Sequence, residues 1–239
     1  MPERLRIGLL QAGYVHPDVA RDHGDYPALF DALLGPLGID LVAYDLQRTG
    51  GPSRLDDHDG WIISGSASSA YDDEPWIRDL EGLCRTLLDR AEPLVGVCFG
   101  HQVLARAAGG RVERADVGWG VGVHDYHLVG EPPPWLGDGA TEPVRMVASH
   151  RDQVVALPDG AEVFLTSEFC PHAGFTLGRR AMTVQAHPEF TTGLSAGLLG
   201  IRREAIGEAR ADAAAATLER RPDADAVAGW IARFLRAAG

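Results

Sequence analysis

Apolar residues fall into two textures along this chain, and the change comes near Gly110. Before it, long apolar runs alternate with helix-like spacing. Leu5 to Gly13 (LRIGLLQAG) is a continuous apolar run closed by glycine, the pattern of a buried strand. IDLVAYDL, DGWIISGS and PLVGV read as the second, third and fourth strands. Between them, DYPALFDALLGPLG repeats apolar residues every three and four positions, which predicts a helix ended near Gly35 and Pro36. DDEPWIRDLEGLCRTLLDRAE predicts another: Asp73 is placed to cap it, Pro75 suits its first turn, and Ile77, Leu80, Cys84 and Leu87 share one face. Strands separated by helices imply right-handed crossovers and a mostly parallel sheet.

After Gly110 the runs shorten. GWGVGVHDYHLVG, PVRMVASH, AEVFLTSE, AGFTLG and AMTVQAH are strand-like and separated by turns, which predicts a mixed or antiparallel extension of the same sheet. EPPPWLGDG reads as a surface loop. From Ser195 to Gly239 the chain reads as mainly helical, broken near RRPDAD. The Ala-rich EARADAAAATLERR consists of strong helix formers and is not a linker. Val227, Trp230, Ile231 and Phe234 form a stripe for packing the last helix on the sheet. The expectation is one α/β domain over residues 1–239: a parallel central sheet flanked by helices, an antiparallel extension, a core of about 5–192 and a helical extension of about 193–239.

Composition narrows the function classes. The 239 residues are 45% hydrophobic and 23% charged, the balance of a soluble globular protein. A net charge of −12 argues against binding a phosphate backbone as the main activity, although it leaves room for a small basic pocket. Cys84, Cys98 and Cys170 form neither a disulfide framework nor a CxxC zinc pair. The N-terminus lacks a signal-peptide pattern, and no apolar run reaches membrane-spanning length. These features predict a cytoplasmic protein with reduced thiols and neither a nucleic-acid nor a membrane partner.

The candidate chemistry centres on VGVCFGHQ. A strand arrives over Leu94 to Val97 and a helix leaves from about His101, so Cys98 sits at the carboxyl end of a parallel strand, where open α/β sheets bind ligands. Gly96 and Gly100 permit a sharp turn, the cysteine counterpart of a nucleophile elbow. Such a turn aims the thiol outward and leaves the Phe99 N–H facing a developing oxyanion. The plain alternative is a buried thiol in a tight turn. In TVQAHPEF, Pro188 disfavours helix at His187, so His187 and Glu189 are expected on one side of an extended segment. They would then form a base and its orienting carboxylate; alone, an HPE element is more often a surface or satisfied histidine. Gly65 ends a strand in a loop and could offer a second oxyanion N–H. Ser149 and His150 end another strand and could line the pocket, or form an exposed turn. His124 and His127 lie three apart on a strand-like run and so on opposite sides, which argues against a metal pair. Cys84 reads as core and Cys170 as an incidental loop thiol.

GVCFGHQ, QAHPEF, SHRDQV and the SGS loop together resemble the class I (triad) glutamine amidotransferases, in the family's order and over most of the chain up to about Phe190. The resemblance implies Cys98 as nucleophile, His187 as general base and acid, and Glu189 as orienting carboxylate. It implies Phe99 and Gly65 as oxyanion donors, Gln102 as a border of the glutamine site, and Ser149 and His150 as the segment holding the substrate's α-amino and α-carboxyl end. It implies a glutamyl thioester formed and hydrolysed without metal or organic cofactor. SGSASSAYDDEPWIRDLEGLC is similar to a pattern in free-standing members related to the GMP synthase amidotransferase domain, including γ-glutamyl peptidases. The chain has no GxxxxGK(S/T) and no SGG-type loop, so it cannot make GMP alone. Two expectations therefore stand together: a glutaminase-type subunit feeding ammonia to a separate synthetase or acceptor, or a free-standing γ-glutamyl hydrolase. A catalytically silent relative is disfavoured by the intact trio. Residues 67–71, 116–119 and 169–175 are the expected gatekeepers.

Overall fold

The computed structural model describes residues 4–137 and 142–238. Its first half follows strand–helix alternation: β1 (Leu5–Gln11), α1 (Pro17–His23), α2 (Tyr26–Leu34), β2 (Ile39–Asp45), β3 (Gly60–Ile63), α3 (Pro75–Asp89), β4 (Leu94–Val97) and α4 (Phe99–Ala107). Then come β5 (Arg111–Arg114), β6 (Gly120–Leu128), β7 (Val144–His150), β8 (Asp152–Ala156), β9 (Glu162–Thr166), β10 (Gly174–Leu177) and β11 (Ala181–Val184). The chain ends in α5 (Thr192–Ile206), α6 (Glu208–Thr217) and α7 (Ala224–Ala238).

Nine strands make one sheet in the order β2-β1-β3-β4-β11-β10-β9-β6-β7. The five from β2 to β11 are parallel, and β10, β9, β6 and β7 continue antiparallel. β11 therefore joins the two halves and lies beside β4.

Period-two alternation sorts the side chains of the parallel strands between two layers. Ile7, Leu9, Ile62, Val95, Val97, Met182 and Val184 face the layer of α2, α5 and α7. Leu10, Trp61, Ile63, Leu94 and Ala181 face α3 and α4. Both faces are covered, which is why these strands read as continuous apolar runs. Val227, Trp230, Ile231 and Phe234 of α7 are buried in the first layer, as their stripe predicts.

Several local details differ from the expectations. Glu74, not Asp73, holds the N-cap of α3, without a side-chain cap bond; Asp73 pairs with Arg78. Helix α4 starts at Phe99, directly after the cysteine, rather than near His101. In the expected surface loop EPPPWLGDG, Trp135 and Leu136 are buried in the core, with Trp135 edge-on to Phe164 and Phe234; Asp138 and Gly139 lie outside the described residues. The helical tail breaks at Gly207, with φ of 91°, as well as near RRPDAD. Helix α1 and the small two-stranded antiparallel sheet of β5 and β8 were not anticipated. Helix α1 buries only Val19, and β5 only Val112, so neither leaves an apolar signature. No described helix is long and apolar enough to cross a membrane.

Candidate functional site

Cys98 joins β4 directly to α4 with φ 53° and ψ −101°. A non-glycine residue held there costs about 1–3 kcal/mol and persists only when its surroundings over-determine it. Those surroundings are close. A Cβ on Gly96 would stand 2.6 Å from the Gly100 carbonyl oxygen, and one on Gly100 would stand 2.4 Å from that of Ile63. The Cys98 N–H donates to the Val184 carbonyl at 2.9 Å, and its own carbonyl accepts the Gln102 N–H at 3.1 Å. The strand neighbour and the new helix thus each pin one side of the turn. First-turn N–H groups of α4, beginning with Phe99, have no acceptor within the helix.

His187 follows β11 and crosses to β7, where its N–H donates to the Val147 carbonyl at 2.8 Å. Pro188 and Glu189 then form a turn rather than an extended segment. The turn still returns the carboxylate to the imidazole: His187 Nδ1 and Glu189 Oε1 are 2.7 Å apart, with side chains 3% and 0% exposed. A carboxylate acceptor at Nδ1 places the proton there and leaves Nε2 for the sulfur. Burial alone lowers the imidazole pKa. The charges of Cys98 and Glu189 and their hydrogen bonds to the ring outweigh it and raise the value to about 10. Gly65 packs against this ring, since a Cβ there would lie 2.8 Å from His187 Cε1. Phe190 stacks on the face of the ring.

Cys98 opens into a cavity of about 130 Å³ lined in part by Gln102, Ser149 and His150, so those three predicted residues reach the site. They do so in different ways. The Ser149 hydroxyl accepts from Arg202 at 3.0 Å. His150 is buried rather than in an exposed turn, its Nδ1 is 3.2 Å from the Asp152 carbonyl, and burial lowers its pKa to about 3. Both amide hydrogens of Gln102 are engaged, by the Asp152 carbonyl and by Gln185. Of the expected gatekeepers, Ala67, Ser68, Ser69 and Trp119 line the cavity, whereas Phe169 packs behind it, edge-on to His150.

The sequence reading missed Arg151, Asp152, Gln185 and Arg202. The two guanidiniums sit 5.3 and 5.9 Å from the Trp119 ring centroid, and Asp152 accepts from Ser69 Oγ at 2.5 Å. A zwitterion-sized pocket with both signs of charge thus opens in a chain of net charge −12. Asp152 lay inside the SHRDQV motif and could have been found there. Arg202 lies on a helix of the extension, where a polar residue reads as solvated.

The other candidates stay outside this site. Cys84 is buried core, and burial pushes the Cys170 thiol up to about 12. His124 Nε2 meets the Val121 carbonyl, while His127 is exposed.

The Glutamine amidotransferase class-I family model matches residues 34–199. "Gamma-glutamyl peptidase 5" of Arabidopsis thaliana is 31% identical over 201 residues, covering 79% of this chain and 77% of the relative. The glutamine-hydrolyzing GMP synthase subunit of Halobacterium salinarum is 35% identical over 175 residues, covering 73% and 88%. A glutamine amidotransferase structure from Thermotoga maritima superposes with a TM-score of 0.75 at 20% identity, covering 98% of this chain and 97% of that one.

Proposed function

This chain belongs to the class-I glutamine amidotransferase family, and from that premise we propose that it hydrolyses γ-glutamyl amides, glutamine being the smallest, through Cys98, His187 and Glu189. The observation that carries the reading is the strained cysteine at the end of β4 in the same buried site as the 2.7 Å His187–Glu189 pair.

The Cys98 thiolate attacks the side-chain amide carbon, and the carbonyl π pair moves to oxygen. The N–H groups of Phe99 and Gly65 receive that oxyanion. His187, as imidazolium, gives its Nε2 proton to the amide nitrogen; the C–N bond breaks and ammonia or an amine leaves. Water then attacks the glutamyl thioester, His187 takes the water's proton, and the C–S bond breaks to return the thiolate and glutamate. Glu189 holds the ring in one tautomer and stabilises its cationic form. Asp152 faces the substrate's α-ammonium, Arg151 and Arg202 its α-carboxylate, and the Ser149–His150 segment helps to hold that end.

A second reading concerns the leaving group. Similarity to a γ-glutamyl peptidase favours an amine larger than ammonia, and an apolar surface around Val117, Val121 and Phe169 adjoins Trp119 at the cavity wall. Similarity to a GMP synthase subunit favours ammonia delivered to a separate synthetase. Glutamate release from glutamine, glutathione, an S-substituted glutathione and a γ-glutamyl amine, with Cys98→Ala as control, separates the two. Turnover that survives in Cys98→Ala would end the assignment.

A further inference from the structure

A line of side-chain amides runs from the β7–β8 turn to the reactive sulfur. Gln102 Nε2 donates to the Asp152 carbonyl at 2.8 Å and to Gln185 Oε1 at 3.1 Å; Gln185 Nε2 donates to Cys98 Sγ at 3.7 Å. Gln102, Gln185 and Cys98 are all buried.

The direction of this line is forced. A backbone carbonyl can only accept, so it must face the nitrogen end of Gln102. That nitrogen has two hydrogens, and the second meets Gln185, which must present its oxygen. The nitrogen of Gln185 is then left toward Cys98. The place of Gln185 is fixed as well, because its backbone N–H donates to the Ala173 carbonyl at 2.8 Å. Flipping Gln102 would set its oxygen against both the Asp152 carbonyl and Gln185 Oε1, and flipping Gln185 would set its nitrogen against Gln102 Nε2 and its oxygen against the sulfur.

We propose that Gln185 is a catalytic residue whose carboxamide N–H holds the Cys98 sulfur in its anionic form and in its attack direction, and that Gln102 is a positioning residue that aims it. The inference rests on Cys98 being the nucleophile. A hydrogen bond that favours the charged form complements the imidazolium on the other side of the sulfur. It also leaves His187 Nε2 free to follow the leaving group, since the sulfur keeps one donor throughout. Other ionisable groups surround the sulfur: His187 and Glu189 after β11, Tyr26 on α2, Tyr126 on β6 and Cys170 before β10. His150, Arg151, Asp152 and Arg202 line the same cavity. None of them changes in a Gln185 or Gln102 variant, so a shift in the sulfur's titration reports the amide.

The test is the rate of Cys98 alkylation by iodoacetamide against pH, read by mass spectrometry of the Cys98 peptide. Gln185→Leu is expected to move the thiolate midpoint up by about one pH unit and to slow alkylation near neutrality about tenfold. Gln102→Met is expected to move it the same way. The double variant should match Gln185→Leu alone, because both cut one line. An unchanged midpoint in folded Gln185→Leu, or shifts that simply add, would overturn the proposal. If Gln185→Leu does not fold, the 15N side-chain amide signal of Gln185 in the wild-type protein decides. It must move as Cys98 titrates, and a signal that stays fixed overturns the proposal. Turnover of γ-glutamyl donors is measured separately. A Gln185-dependent midpoint without turnover would sink the proposed reaction and leave the amide line standing; turnover with a Gln185-independent midpoint would do the reverse.

Discussion

The imidazole of His187 lies flat on the ring of Phe190, with centroids 3.9 Å apart and planes 8° apart. Glu189 fixes the ring by one nitrogen, but a single hydrogen bond leaves it free to tilt about that bond. The Phe190 face removes the tilt. Phe190→Ala should therefore lower kcat at nearly constant KM, about tenfold, because misplacement of a catalytic group acts on the transition state. It should also cost about 3–5 kcal/mol of stability, the usual range for losing a buried phenylalanine. Steady-state kinetics beside urea unfolding would check both. A change in KM alone would mean that Phe190 touches substrate instead.

Glu189→Gln keeps the shape of the pair and removes its charge. The amide can present its nitrogen to Nδ1 and so reverse the tautomer, with the proton on Nε2 where a base is needed. The expected result is a loss in kcat of about 10³–10⁴, measured as glutamate release. An unchanged rate would mean that Glu189 is not the orienting group.

Arg202 reaches the pocket from α5, donates to Ser149 and lies over Trp119. Arg202→Met keeps much of the packing and removes the charge. If the guanidinium meets the substrate's carboxylate, KM should rise roughly tenfold to a hundredfold, the loss of one charged hydrogen bond. Equal KM values in variant and wild type would assign Arg202 to structure alone.

The buried histidines set the pH range of stability. His187 has a folded value near 10, above its ordinary 6.5, so its contribution is complete below about 6.5 and is lost as pH rises through 10. His101 and His150 are pushed down to about 3, chiefly by burial. Between 6.5 and 3 the unfolded chain binds protons that the folded one refuses. Each residue then removes about 1.4 kcal/mol of stability per pH unit as pH falls. His101→Gln can still bond Thr183, which His101 Nδ1 meets at 2.9 Å, and it cannot titrate. Urea midpoints across this range should show the variant losing less stability in acid by about that slope; parallel curves would exclude His101 as a source.

What could be read from the sequence follows from what the chain buries. Strands β1, β3, β4 and β11 were legible because both faces of each are covered and their inward residues are apolar save Gln11 and Thr183. The elbow was legible because two glycines at fixed spacing leave few other geometries, and the close contacts at Gly96 and Gly100 are the physical reason. Arg202 was not legible: it meets Ser149 from 53 residues away, and nothing local marks a helical arginine as inward-facing. Gln185 was hidden differently. It ends a strand run in which a polar residue reads as the solvent face, yet it is fully buried. Its value comes from a partner 83 residues earlier, Gln102.

β11 supplies the strand beside β4, yet it is among the last parts of the core to be made. When Cys98 first leaves the ribosome, the carbonyl that pins its turn, the amide beside its sulfur and the imidazole that shares its proton have not been translated. At typical elongation rates the interval from Cys98 to Arg202 is roughly ten seconds. Throughout it the cysteine lacks these three partners. If Cys98 is the nucleophile, vectorial synthesis keeps the nascent chain chemically mute, and its reactivity comes into being together with the folded protein around it.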